Sequence, residues 1–91
     1  MNYKITRTNA FVKTAKKFFK RHPQLVGRFK DVMLELEKNP FEPSLNTHKL
    51  KGTLKGKYGV SLDYKYRIVV TFQIQQKEII LWDIGSHDEA Y

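Results

Sequence analysis

The stretch Tyr66-Arg67-Ile68-Val69-Val70-Thr71-Phe72-Gln73-Ile74 decides the fold, because it places a large apolar residue at every second position. A period of two predicts a β-strand with one buried face, here the face of Ile68, Val70 and Phe72. Residues 58–62 repeat this alternation upstream. A run of β-forming residues, 79–84, follows a polar turn downstream. Three consecutive strands joined by short turns predict an antiparallel meander.

Two helical patterns precede the meander. After a capping residue, Thr8 or Asn9, apolar side chains recur at helical spacing through residue 19, and a second such stripe covers residues 25–36. His22-Pro23 separates the stripes, since the residue before a proline is disfavoured in the α region; we interpret His22 as structural. Pro23 suits the first turn of the second helix, and Asn39-Pro40 ends it before a loop over residues 39–47.

These segments predict one α+β domain over residues 1–91. A short strand at residues 3–6 comes first, so the element order is β-α-α-β-β-β. We expect an N-terminal helical hairpin packed on one face of a small twisted antiparallel sheet. If the helices cover the Ile68 face, Arg67 begins its strand on the opposite face. The tail that carries His87 and Tyr91 leaves the adjacent strand near that face, which predicts a cationic, half-open groove for a polyanion.

The charge distribution favours the same kind of partner. The chain has 17 Lys and Arg residues against nine Asp and Glu, a formal net charge of +8. The first 30 residues hold nine basic side chains and no acidic one, and residues 48–67 hold six basic side chains against Asp63 alone. Such asymmetry indicates nucleic acid, an acidic protein or an anionic membrane surface as partner. A solvated basic face without a partner is the alternative.

Several classes of protein are excluded by what the sequence lacks. It has no cysteine, hence no disulfide and no thiolate metal site. Its apolar runs fall far short of the roughly 20 residues of a membrane span, and its N-terminus leads straight into patterned sequence, so we expect a soluble cytoplasmic protein. There is no phosphate-binding glycine loop, no Gly-x-Ser-x-Gly motif and no metal-ligand spacing among the three histidines. We therefore expect no metal and no cofactor.

RNA cleavage fits the remaining inventory of His, Lys, Arg and Tyr. RNA carries its own nucleophile, the 2′-hydroxyl, so a protein need only move protons and stabilise charge on the phosphorus. Histidine can act as general acid or base near neutral pH. The arginine fork matches phosphate geometry and stays charged.

Four short motifs follow one another along the chain: His48-Lys49-Leu50-Lys51-Gly52, Gly56-Lys57-Tyr58, Lys65-Tyr66-Arg67-Ile68-Val69 and Ile84-Gly85-Ser86-His87, with Tyr91 at the end. Together they resemble the RelE/ParE toxin superfamily, and within it the RelE/YafQ-like branch of type II toxin–antitoxin modules. The resemblance covers essentially the whole chain. It implies a metal-independent mRNA interferase that cuts messages in the ribosomal A site. A cognate acidic antitoxin would neutralise it, in an assembly such as a toxin–antitoxin heterotetramer.

The resemblance also implies roles for individual residues. Arg67 would stabilise the phosphate and the transition state, and His87 would be the general acid or base. His48 would be a second acid–base or substrate-orienting group, and Tyr91 would stack on a base or assist proton transfer. The RNA-binding lysines would be Lys49, Lys51, Lys55, Lys57 and Lys65.

Departures from the family pattern leave alternatives open. Some relatives carry lysines where this chain has Gly59 and Ser61; the YafQ-like branch has a second histidine in place of Ser61 and an acid–tryptophan pair in place of Lys65-Tyr66. The catalytic set would then rest mainly on Arg67, His87 and His48. The alternatives are a ParE-like, non-enzymatic inhibitor of DNA gyrase and a catalytically lapsed homologue that only binds its antitoxin.

Each residue has a plainer role to set against these. Arg67 could pair with Asp63 or Asp83, and the lysines could serve solubility alone. His87 could be a surface residue beside Asp88, His48 could cap a loop, and Tyr91 could serve terminal packing or be frayed.

Overall fold

The computed structural model describes residues 2–86 and has a five-stranded mixed sheet at its centre. The strands, numbered along the chain, are β1 (Lys4–Arg7), β2 (His48–Lys49), β3 (Tyr58–Ser61), β4 (Tyr66–Gln73) and β5 (Glu78–Ser86). They lie side by side in the order β1-β5-β4-β3-β2. β1 runs parallel to β5, whereas the other neighbouring pairs are antiparallel.

Two helices cover one face of this sheet. They are α1 (Asn9–Arg21) and α2 (Val26–Lys38), joined by a 3₁₀ turn over Pro23–Leu25. Pro23 therefore opens this turn rather than α2 itself. Of the two possible caps, Thr8 is the one used: its hydroxyl accepts the Phe11 N–H at 3.0 Å and donates to the Leu81 carbonyl at 2.8 Å. The same side chain thus caps α1 and fastens it to β5.

The core lies between the helices and the inner face of the sheet, as the alternation in β4 predicts. Ile68 and Val70 are fully buried there against residues of both helices, with Phe72 at the margin. Phe29 of α2 packs against Phe11 and Phe19 of α1, at centroid distances of 6.1 and 5.2 Å. The predicted α+β class and helix-covered face are confirmed.

Other parts of the fold add to the prediction. His22 packs against Phe18 and Tyr66, each with ring centroids 4.7 Å away, which confirms its structural role. The prediction of a wholly antiparallel sheet is wrong at one edge, where the predicted first strand, β1, pairs in parallel with β5. At the other edge His48–Lys49 adds a strand that was not predicted, β2, beside β3. Partners more than 70 residues apart leave no local sequence signal. Within residues 2–86, neither helix has the length and apolarity to cross a membrane.

Candidate functional site

The outer face of the sheet, which the helices leave uncovered, gathers several of the predicted site residues. Strand register aligns His48, Gly59, Val69 and Asp83 in one row across β2, β3, β4 and β5. The next row, towards the end of β5, consists of Ser61, Arg67 and Gly85. These residues share a face because the inner-face residues between them belong to the core.

Arg67 lies on this outer face, as its place in β4 predicts, but its side chain is fully buried. The sequence indicated an open groove at this point, and the structure differs. Its cross-strand partners, Ser61 and Gly85, are small and leave room for the guanidinium. Leu50 and Val69 are also buried although they lie outside the main core, so part of this outer face is shielded from solvent. A buried cation acts through a lower dielectric than a surface one, which strengthens its pull on a nearby anion.

His48 is half-buried on the same face, and a hydrogen bond fixes its ring. Its Nδ1 lies 2.8 Å from the backbone oxygen of Asn46. Because a carbonyl can only accept, Nδ1 carries the proton, and Nε2 is the nitrogen left to take up or release one. Asn46 adopts a left-handed conformation, with φ of 48°, a region in which asparagine is enriched. The Asn46 turn thus orients the imidazole.

Gly59 explains how the imidazole fits against the sheet. A β carbon built at Gly59 would lie 3.2 Å from His48 Cε1, 3.3 Å from His48 Nε2 and 3.1 Å from Leu50 Cδ2. The ring therefore occupies the space that any other residue would fill. Sequence reasoning treated Gly59 only as a missing lysine. A glycine inside a strand is a known signal of close approach and could have revealed this contact.

The two described catalytic candidates, Arg67 and His48, lie two strands and two residues apart on one face. Ladder spacings of about 4.8 Å between strands and 3.4 Å along a strand put their Cα atoms roughly 12 Å apart. Long side chains span much of such a gap. The other two candidates, His87 and Tyr91, lie outside the described residues.

Four of the five predicted RNA-binding lysines surround one open groove of about 540 Å³. The chain between β2 and β3 builds it through the Leu50 N–H to Lys57 carbonyl hydrogen bond, 2.9 Å, and glycines with positive φ at 52 and 56. Its cationic lining is Lys49, Lys51, Lys55 and Lys57. The fifth, Lys65, is exposed at the β3–β4 turn, with Nζ 5.5 Å from the centre of the Tyr66 ring. The groove therefore concentrates positive charge beside His48.

One aromatic residue of the outer face was not singled out from the sequence. Trp82 is 37% exposed, its indole N–H donates to Thr71 Oγ1 at 2.8 Å, and Lys57 Nζ lies 5.2 Å from its ring centre. The β4–β5 ladder shifts register at Val69/Val70, which disturbs the alternation that a sequence reading would follow. Over residues 2–86, no three histidine or acidic side chains cluster closely enough to hold a metal ion.

Comparison with known proteins found one matching family model and several similar solved structures. A family model described as "Bacterial toxin of type II toxin-antitoxin system, YafQ" matches residues 3–91. YafQ from E. coli strain BL21(DE3) is 20% identical, with 98% of each chain covered and a TM-score of 0.79. A chain of the E. coli DinJ-YafQ toxin-antitoxin complex is 19% identical, with coverage of 100% of this chain and 99% of that chain and a TM-score of 0.78.

A metal-bound toxin from Helicobacter pylori is also similar. It is 27% identical over 100% of both chains, with a TM-score of 0.73. Comparison with curated protein sequences gave no match.

Proposed function

This chain belongs to the YafQ family of bacterial toxins of type II toxin–antitoxin systems, and we propose that it is a metal-independent, ribosome-associated mRNA endonuclease that inhibits translation. Its main support is that Arg67 and His48 share the outer face of the sheet, while the lysine groove lies at the adjoining β2–β3 connection and sends Lys57 over Trp82 on that face. A polyanion bound along the lysine groove would extend towards the fixed imidazole of His48 and the buried guanidinium of Arg67. That combination suits phosphodiester cleavage.

In the proposed reaction the RNA 2′-oxygen attacks the adjacent phosphorus, and the bond from phosphorus to the 5′-oxygen breaks. A general base takes the 2′-hydroxyl proton, and a general acid gives a proton to the departing 5′-oxygen. The products are a 2′,3′-cyclic phosphate and a 5′-hydroxyl. Proton transfer of this kind contributes typically 10²–10⁴ in rate.

We assign the proton-transfer roles to histidines. His48 Nε2 is the nitrogen left for this work once Nδ1 is bound to Asn46. The other role falls to His87, with Tyr91 stacking on a base of the substrate; both assignments come from the family resemblance. Having two imidazoles lets one act as base while the other acts as acid.

Arg67 stabilises the charge that builds on the phosphorus oxygens. Because its side chain is fully buried, Arg67 acts through its charge in a low-dielectric surrounding rather than by direct hydrogen bonds to the phosphate, and preorganised electrostatic stabilisation of this kind contributes roughly 3–4 kcal/mol, or 10²–10³ in rate. The groove lysines, with Lys65, hold the flanking phosphates.

We also propose an acidic antitoxin segment as partner, and one of the similar structures is the E. coli DinJ-YafQ toxin-antitoxin complex. An open groove of about 430 Å³ beside α1 and α2 fits such a segment, because its apolar floor includes Phe11, Val12 and Phe19 and its rim is basic. The rim cations are Arg7, Lys16 and Lys30. An amphipathic acidic segment could fold into it on binding.

The antitoxin proposal predicts a charge effect. Val12→Glu should weaken antitoxin binding, whereas Leu34→Glu, at an exposed α2 position outside the groove lining, should not. Isothermal titration calorimetry of the wild-type toxin with its antitoxin should show weaker binding at the higher of two ionic strengths. Equal affinity for both variants would refute this groove as the docking site.

The test of the proposed activity is message cleavage during translation, mapped by primer extension in cells that express the chain. The wild type should cut messages, and an Arg67→Ala/His87→Ala double variant should not. His22→Phe, which keeps a ring between Phe18 and Tyr66, is the matched control and should cut normally. Intact messages together with gyrase-cleaved DNA would instead support a ParE-like inhibitor.

A further inference from the structure

Trp82 is held in a fixed orientation on the outer face of the sheet. Its indole N–H donates to Thr71 Oγ1 at 2.8 Å, so the neighbouring strand sets the direction of the ring. The side chain is outside the main core and 37% exposed. An isolated exposed apolar residue would need no explanation. This one is oriented by a hydrogen bond and lies beside a cation.

The cation is Lys57, whose Nζ lies 5.2 Å from the indole centre. Lys57 also lines the lysine groove, so Trp82 lies where that groove opens onto the outer face. An aromatic ring next to a cationic track is the combination by which proteins bind single-stranded nucleic acid: lysines hold the backbone, and bases stack on the ring.

The position of Trp82 relates it to the proposed catalytic residues. The register shift in the β4–β5 ladder leaves Trp82 without an opposite residue in β4, and its chain neighbour Asp83 shares a row with His48. Gly85, opposite Arg67, is three residues further along β5. At about 3.4 Å per residue this separation is roughly 10 Å. A base resting on Trp82 would therefore belong to a nucleotide that flanks the scissile phosphate.

We propose that Trp82 is a stacking platform for an unpaired RNA base beside the cleavage site, with Lys57 transferring from the indole to an RNA phosphate when the base arrives. This inference rests on the proposed function and adds a substrate-binding site to it. Base stacking is tolerant of sequence, since every base has a π face, so the platform holds the strand rather than reading it.

The chain has a single tryptophan, so its fluorescence reports on this site alone. The probe is a 2′-O-methyl RNA octamer, which lacks the nucleophilic hydroxyl and stays intact. At low salt it should quench Trp82, whereas inorganic polyphosphate of matched charge should bind without quenching. Quenching by polyphosphate to the same extent would overturn the inference. RNA binding is measured separately, from the fluorescence anisotropy of a labelled octamer. If the octamer binds but the fluorescence of Trp82 does not change, the inference is also overturned.

Variants give a second readout. Trp82→Ala should weaken octamer binding about tenfold, and Trp82→Phe, which keeps a ring, by less than about threefold. Phe41→Ala, at an exposed aromatic that packs on Phe72, is the control and should bind like the wild type. Equal affinities for Trp82→Ala and wild type would overturn the platform.

Message cleavage separates the two proposals. If the wild type cuts and Trp82→Ala cuts at the same rate and positions, the platform is refuted while the proposed function stands. If the wild type does not cut but the octamer quenches Trp82, the nuclease proposal fails and the base-binding site remains. Quenching by an acidic antitoxin and not by RNA would assign the surface to protein and refute the platform.

Discussion

Gly59→Ala adds one methyl group beside His48, and we expect it to slow RNA cleavage about tenfold in a protein that still folds. The new β carbon would lie 3.1–3.3 Å from Leu50 Cδ2 and from Cε1 and Nε2 of His48. Favourable carbon contacts are about 3.5–4.0 Å, so the neighbours must move by roughly 0.3–0.5 Å. The imidazole is held at Nδ1 by the Asn46 carbonyl, so this movement swings Nε2 away from its working position.

The expected magnitude follows from the size of that movement. A misplacement of 1 Å can cost about 100-fold in rate, so half of it corresponds to about tenfold. Stability should change less than activity. Replacing a strand glycine by alanine recovers about 0.5–1 kcal/mol, and overpacking costs about 1–3 kcal/mol. The net loss in the free energy of unfolding is about 0–2.5 kcal/mol.

Three measurements check this reasoning: primer extension for cleavage, urea unfolding for stability, and the NMR signals of the His48 ring. Gly27→Ala is the matched control, because nothing lies within 4 Å of a β carbon at this α2 position. It should gain about 0.5–1 kcal/mol in stability and cut at the wild-type rate. If Gly59→Ala cuts like the wild type while its His48 signals shift, the position of this ring does not govern cleavage.

Three further changes have defined outcomes. Thr8→Ala removes the α1 cap and its bond to β5 and should lower the free energy of unfolding by about 1–2 kcal/mol in urea titrations, whereas Thr8→Ser should lose little. Arg67→Met removes the charge but keeps a long buried side chain, so cleavage should fall about 100-fold with an unchanged circular dichroism spectrum; wild-type cutting would contradict the assigned role. Lys55→Gln should reduce the slope of log affinity for RNA against log salt by about 0.7, while Lys20→Gln, on α1, leaves the slope unchanged.

The local features of this protein could be predicted from its sequence. The period of two in β4 predicted which of its residues face the helices, and Ile68 and Val70 are buried there. Helical spacing predicted both helices, and the proline after His22 predicted the break between them. These features depend on neighbours within a few residues, where alternation, capping chemistry and the constraint of the proline ring act directly.

The geometry of the candidate site depended on longer-range contacts. Gly59 was interpreted as a lost lysine, but its significance is the His48 ring, which the Asn46 turn brings over from another strand. Arg67 was correctly placed on its face, but its burial depends on how small the residues on both neighbouring strands are. Trp82 could not be recognised as oriented because its hydrogen-bond partner, Thr71, is on another strand.

The sequence by itself therefore determined the element types, the buried face of the sheet and the excess of positive charge, since composition and short periods encode them. The tertiary structure alone decided the parallel addition of β1, the shift in register that accompanies Trp82, and the fit of the imidazole over a glycine. Each of these depends on which distant segments pair and in what register. That choice is made by the packing of the whole sheet against its helices, and no stretch of a few residues carries it.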